Sequence, residues 1–199
     1  MTSKAQILSA VRRTPLPLRE LPPHAGPWLT FADRAGQFAT SLASVGGVCL
    51  AARDVAAIRA ALETLPQITA AKKVCSPLPE LGVGNVSLPD VATPHDLEDV
   101  DVAIVPGEFA VAENGAVWVN ARGLKHRAIL FLVQHLVLVV RGDAVVNTMH
   151  EAYARLEFAE PGFGVFISGP SKTADIEQSL VIGAHGPRSH TVFLLEAAP

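Results

Sequence analysis

Three stretches of the chain bring together residue types that do chemistry. The first, Gly169-Pro170-Ser171-Lys172-Thr173, follows the apolar run Val165-Phe166-Ile167 and precedes a segment whose pattern predicts a helix ending at Gly183. Free N–H groups at the start of such a helix favour an anion, with Ser171 or Thr173 as cap and Asp175 in the first turn. Gly169 allows close approach, Pro170 fixes the turn and Lys172 supplies charge, which makes a cradle for a carboxylate or phosphate. The alternative is a well-capped helix in which Asp175 and Glu177 answer the dipole. If the turn is a site, Gly169→Val is expected to damage function more than stability. The second stretch is Glu113-Asn114-Gly115, directly before a strand. Its carboxylate could act as base, nucleophile or hydrogen-bond acceptor, or the stretch is an exposed turn in which Asn-Gly supplies the positive φ. The third is Gly183-Ala184-His185-Gly186-Pro187, where the glycines around His185 permit approach to a ligand.

Other residues fall short of a motif. Gly164 to Gly169 has the first spacing of a P-loop, but Pro170-Ser171 stands where Lys-Ser/Thr is required. Gly82-Val83-Gly84 lacks the last glycine of a dinucleotide fingerprint, and His150-Glu151 has Ala154 where a zinc-protease helix needs its second histidine. His135, inside an apolar strand, reads as a satisfied core histidine, and His150 as a solvated one. No histidine pair has metal-ligand spacing, so no metal site is expected. Cys49 and Cys75 are too few for an iron–sulfur cluster and read as reduced core thiols.

The elements that must position these residues alternate. A short amphipathic helix over 3–13 leads into an arm with five prolines in the fourteen residues from Thr14 to Pro27, which excludes helix and central strand. Asp33 is the predicted cap of a helix with Phe38 and Leu42 on one face, ended by Gly46-Gly47. Strands are expected at GVCLA, KKVCS, 99–107, 115–120, QHLVLVV, GVFIS and HTVFLL, with helices over RDVAAIRAALETL and 143–156. Strands alternating with helices, several strands being continuous apolar runs, indicate a mostly parallel α/β sheet covered on both faces. In such sheets ligands sit outside the carboxyl ends of the strands, which is where the 169–173 turn is expected.

Composition narrows the partners. With 199 residues, 49% of them hydrophobic, the chain has enough apolar material for one sizeable core. The arm and first helix (1–32) are set apart from one domain over 33–199. Sixteen basic against nineteen acidic residues give a net charge of −3. No basic block is present, which argues against nucleic acid. The N-terminus lacks the features of a secretory signal, and 128–140 is too short and too interrupted to span a bilayer. A cytoplasmic protein is expected.

Ala112-Glu113-Asn114-Gly115 before a strand, the histidine-bearing QHLVLVV, GPSKTADIE (169–177) and GAHGP (183–187) occur together in an order and spacing that resemble the lactate-utilization protein C family, the LUD domain. Asn114 stands where the family usually has threonine, and Lys172 where it usually has arginine. The resemblance implies a three-layer α/β/α fold similar to the sugar-isomerase and CoA-transferase (NagB/RpiA/CoA transferase-like) group. It also implies a part in oxidising L-lactate to pyruvate alongside partner proteins that carry iron–sulfur clusters. This chain would be a non-redox subunit with no cofactor of its own, able to form oligomers, and binding a small carboxylate or phosphate at 169–173, Asp175, His185 and Gly186. A stand-alone CoA-transferase-like or isomerase-like enzyme using Glu113 is the alternative that the fold analogy implies.

Overall fold

The computed structural model describes residues 2–13, 19–20, 26–157, 162–176 and 179–196. In chain order its elements are α1 (Ser3–Arg12), α2 (Arg34–Ser44), β1 (Val48–Ala52), α3 (Val55–Leu62), α4 (Pro66–Thr69), β2 (Val74–Cys75), β3 (Val102–Pro106), β4 (Phe109–Val111), β5 (Ala116–Asn120), α5 (Ile129–Leu132), β6 (His135–Arg141), β7 (Val145–Val146), α6 (Met149–Ala154), β8 (Gly164–Ile167), β9 (Lys172–Ile176), β10 (Ser179–Ile182) and β11 (Ser189–Leu195).

Both main helices start where side chains dictate. The Asp33 carboxylate accepts the Gly36 N–H at 2.8 Å ahead of α2, and Asp54 accepts the Ala57 N–H at 2.7 Å ahead of α3. Each satisfies a donor that the first helical turn leaves unpaired.

Strands β1, β11, β6, β3 and β2, in that order, form a parallel five-stranded sheet. Alternation along the strands divides the core in two. Val102, Ile104, Val137 and Phe193 pack with Ile58 and Leu62 of α3 on one face. Ala103, Val105, Leu136, Leu138, Val192 and Leu194 pack on the other with Phe38 and Leu42 of α2. A strand with an apolar layer on each side must be apolar at successive positions, hence the continuous runs. The result is the expected three-layer α/β/α arrangement.

A second, mixed sheet of order β7-β4-β5-β8 extends the α2 side. Its Ala110, Val117 and Val119 join the core beneath α2. Its outer residues Phe109, Val111 and Ala116 are covered by Ala152, with Met149 packed alongside, both from α6. Beyond the arm, Trp28 stacks on His150 with ring centroids 3.6 Å apart, and the Phe31 N–H donates to Asn147 Oδ1 at 2.8 Å. His150 is exposed but stacked. No helix of the described residues is long and apolar enough to cross a membrane.

Two expectations fail. The helix read over 143–156 is only α6, because Val145 and Val146 pair in parallel with Ala110 and Val111 and the chain turns helical only after Thr148. The β-branched pair gains more from a sheet edge than from a helical turn. The helix expected after the 169–173 turn is an antiparallel hairpin, β9 against β10, with Thr173 opposite Val181 and Lys172 opposite Ile182. Its base is closed by Gly183 N–H donating to the Ser171 carbonyl at 2.9 Å.

Candidate functional site

The hairpin removes the helix N-terminus that the anion cradle rested on. Ser171 and Thr173 cap nothing there, Asp175 lies within β9, and Glu177 falls outside the described residues. The turn itself is firmly held. Gly169 and Pro170 are buried, and Gly169 has φ +73°. Its N–H donates to His190 Nδ1 at 3.1 Å, and the Ser171 N–H donates to the Pro187 carbonyl at 2.8 Å. A Cβ on Gly169 would lie 2.6 Å from the Val45 carbonyl oxygen, so backbone packing alone requires glycine. A side chain there would have to move α2's end, so Gly169→Val is expected to cost stability first, in contrast to the expectation drawn from sequence.

These loops converge at the amino ends of the parallel strands, opposite to the expected carboxyl ends. His135 opens β6 in register with Ser189, and His190 lies beside Leu136. The reason is topological. Strand β8 belongs to the mixed sheet, antiparallel to β5, so the turn that follows it is not a strand-to-helix loop of the parallel sheet. Gly183 to Arg188 instead returns the chain from the hairpin to the start of β11, with the Arg188 N–H on the Gln134 carbonyl at 2.8 Å. Within that loop His185 is exposed, and a Cβ on Gly186 would sit 3.0 Å from the Ser171 Cβ. Lys172 is exposed, its Cε 3.9 Å from the Cβ position of Gly46.

The Glu113 turn meets the same region. Ser168 Oγ donates to the Asn114 carbonyl at 2.7 Å, and Ser41 Oγ to the Ala112 carbonyl at 2.7 Å. Gly115, at φ +67°, packs on the α2 backbone, where a Cβ would meet Leu42 N at 2.5 Å. Glu113 is half-buried and its Oε1 accepts the Met149 N–H at 2.8 Å, at the start of α6. That bond makes it the helix's structural anchor. Any chemistry at Glu113 would have to share this oxygen or use the other.

Ser168, Arg188, Ser189 and His190 were not singled out from sequence, yet they tie these loops together. His190 is 1% exposed. Since Nδ1 accepts from Gly169, its proton sits on Nε2, which meets no acceptor among the described residues. Burial pushes this imidazole down to about 4, so it is neutral. His135 Nδ1 lies 2.7 Å from Ser189 Oγ, and its basicity is lowered by burial and then by the Arg188 charge, with Asp101 opposing. The readable signal was that both histidines open apolar strands. Burial also raises both thiols, Cys49 to about 11. Among the described residues no group of His, Cys, Asp or Glu is placed to hold a metal ion.

A family model described as the LUD domain matches residues 37–195. Lactate utilization protein C of Geobacillus thermodenitrificans is 40% identical over 96 residues, which are 45% of this chain and 40% of that protein. Its namesake in Bacillus pumilus is 35% identical over 104 residues, 49% of this chain and 43% of that protein. The matches thus span less than half the length of these curated relatives. Among solved structures, a DUF162 family protein from Deinococcus radiodurans aligns with a TM-score of 0.60 over 84% of this chain and 99% of its own, at 21% identity. At that identity the likeness shows a common fold.

Proposed function

This chain belongs to the LUD-domain family, and on that premise we propose that it serves lactate utilization as a component without a redox centre, binding a small carboxylate and acting with iron–sulfur partner proteins. The observation that carries the reading is the convergence of 112–115, 168–173 and 183–190, three segments distant in sequence, on the amino ends of β6 and β11. Arg188 and Lys172 are exposed cations on these loops, while the Ser189 hydroxyl and His135 ring beside them offer hydrogen bonds to a carboxylate. Oxidation of L-lactate to pyruvate releases two electrons and two protons. Two thiols that burial holds protonated are poor ligands, and four thiolates are the usual need of a cluster, so the electrons would pass to partner proteins.

The test is lactate-dependent dye reduction in extracts of cells lacking this chain, with wild-type, Arg188→Gln and Ser171→Ala proteins added back. Wild-type protein is expected to restore reduction and Arg188→Gln to restore less than a tenth of it. Undiminished reduction without the chain would remove the lactate reading. Full rescue by Arg188→Gln would move the binding site elsewhere.

A further inference from the structure

Two open clefts of the described surface lie away from the loops above. The larger, about 700 Å³, lies under the 121–128 loop and is lined by Lys125, His126 and Arg127 together with Phe163. The smaller, about 390 Å³, is walled by Trp118 and Asn120, with Glu108, Glu157 and Arg155 also on its lining. Arg122, Gly162 and Phe163 line both, so the two form one continuous groove. The two ends differ in charge, the smaller carrying Glu108 and Glu157 and the larger only basic groups. From Asn114 to Gln134 there is no Asp or Glu, whereas Arg122, Lys125 and Arg127 all fall there, in a chain with 19 acidic and 16 basic residues. None of the described residues lining the larger cleft is acidic.

The cations are held in place. Lys125 Nζ donates to the Pro89 carbonyl at 2.7 Å, and His126 Nε2 lies 3.0 Å from the Val91 carbonyl, which ties the loop to 89–91. Lys125 retains two further N–H donors. The Arg127 guanidinium carbon lies over the Phe163 ring, 4.7 Å from its centroid, which restrains the side chain while its N–H donors can still meet an anion. Like charges gathered on one short loop repel one another, and a multiply charged anion between them relieves that cost. Trp118 is half-buried and packed on Phe109 and Phe166, and with Asn120 it forms a wall along which a flat heterocycle can lie and hydrogen-bond.

We propose that this groove binds a phosphorylated ligand with a flat ring, of the nucleoside diphosphate class, its phosphates on Lys125 and Arg127 and its ring along Trp118 and Asn120. The site is separate from the carboxylate loops but adjoins them. The Phe131 ring packs edge-on to Phe163 with centroids 6.5 Å apart, and the Phe131 carbonyl oxygen lies 3.7 Å from the Cβ position of Gly186.

Titration calorimetry of the full chain with ADP and with inorganic pyrophosphate tests this without reference to lactate. Saturable one-to-one binding of both is expected, ADP at least tenfold tighter. Lys125→Gln and Arg127→Gln, both exposed and expected to fold normally, should each raise Kd tenfold or more for either ligand. Raising salt from 50 to 200 mM should weaken binding of the wild type more than of either variant. No saturable binding at millimolar concentration, or binding indifferent to both substitutions, would overturn the site. Equal affinity for ADP and pyrophosphate would overturn the placement of the ring.

Discussion

His190 sets the orientation of the 168–170 turn, and its titration gives the sharpest prediction at the scale of one residue. Its folded value, about 4, lies below the 6.5 of a free histidine. Between those two values the unfolded chain binds the proton and the folded one does not. The stabilisation is therefore complete above pH 6.5 and is lost as pH falls toward 4. The difference, 6.5 − 4 = 2.5 units, corresponds to on the order of 3 kcal/mol. His135 is shifted in the same direction and steepens the same slope. In His190→Asn, Oδ1 takes the position of Nδ1 and still accepts from Gly169 but does not titrate. Urea unfolding at pH 7 and pH 4.5 should show a smaller loss for this variant than for wild type, and identical losses would refute the assignment. Glu113 gives a second prediction. As the acceptor for the Met149 N–H, its replacement by Ala should cost about 1 kcal/mol, while Gln, which keeps an acceptor oxygen, should cost far less. A Gln variant that is fully stable but inactive would instead identify Glu113 as a reacting group.

At the scale of elements, the parallel strands and the Asp33 cap were legible because local chemistry and global packing agree there. Asp33 begins its helix as its side chain dictates, and the apolar runs of β3, β6 and β11 are buried on both faces. The segment after Gly169 was not legible. Ile176 and Leu180 stand four apart, as on a helix, but Thr173, Ile176, Val181 and Ile182 are β-branched and fit a ribbon equally well. What decides between them is the closure of the ribbon's base on Ser171 and Pro187, a contact that no local pattern announces. Likewise the turn and strand of 164–171 were read correctly, but their sheet was not, and with it went the end of the parallel sheet at which these loops lie. Glycines on these loops separate strain from packing. Gly169→Ala must adopt φ +73° and press on Val45, so a loss of about 2–4 kcal/mol is expected. Gly123→Ala has φ +82° but nothing within 4 Å, so about 1 kcal/mol of conformational strain should be its whole effect. Equal losses by thermal or urea unfolding would show that the contact with α2's end contributes nothing.

For the whole molecule, the position of the last strand matters most. Strand β11 lies between β1 and β6, so the sheet joins the earliest strand of the chain to the last: Val48 pairs with Thr191 and Ala52 with Leu195. Neither α2 with β1 nor the stretch from β3 to β8 can complete its core until that strand arrives. The family match from residue 37 to residue 195 runs from α2 to the final residue of β11, which is the span this pairing requires. Long-range closure of this kind folds slowly and as one unit. Phe193, 0% exposed on the α3 face, tests the argument. Phe193→Ala should lose about 3–5 kcal/mol with the urea m-value unchanged, since the cavity weakens the unit without dividing it. Deletion of 189–199 should abolish cooperative unfolding altogether, because it exposes the facing edges of β1 and β6 together with both apolar layers. A truncated chain that still unfolded in one sharp transition would mean that the remaining strands form an independent core, and that the amino-end loops are organised without β11.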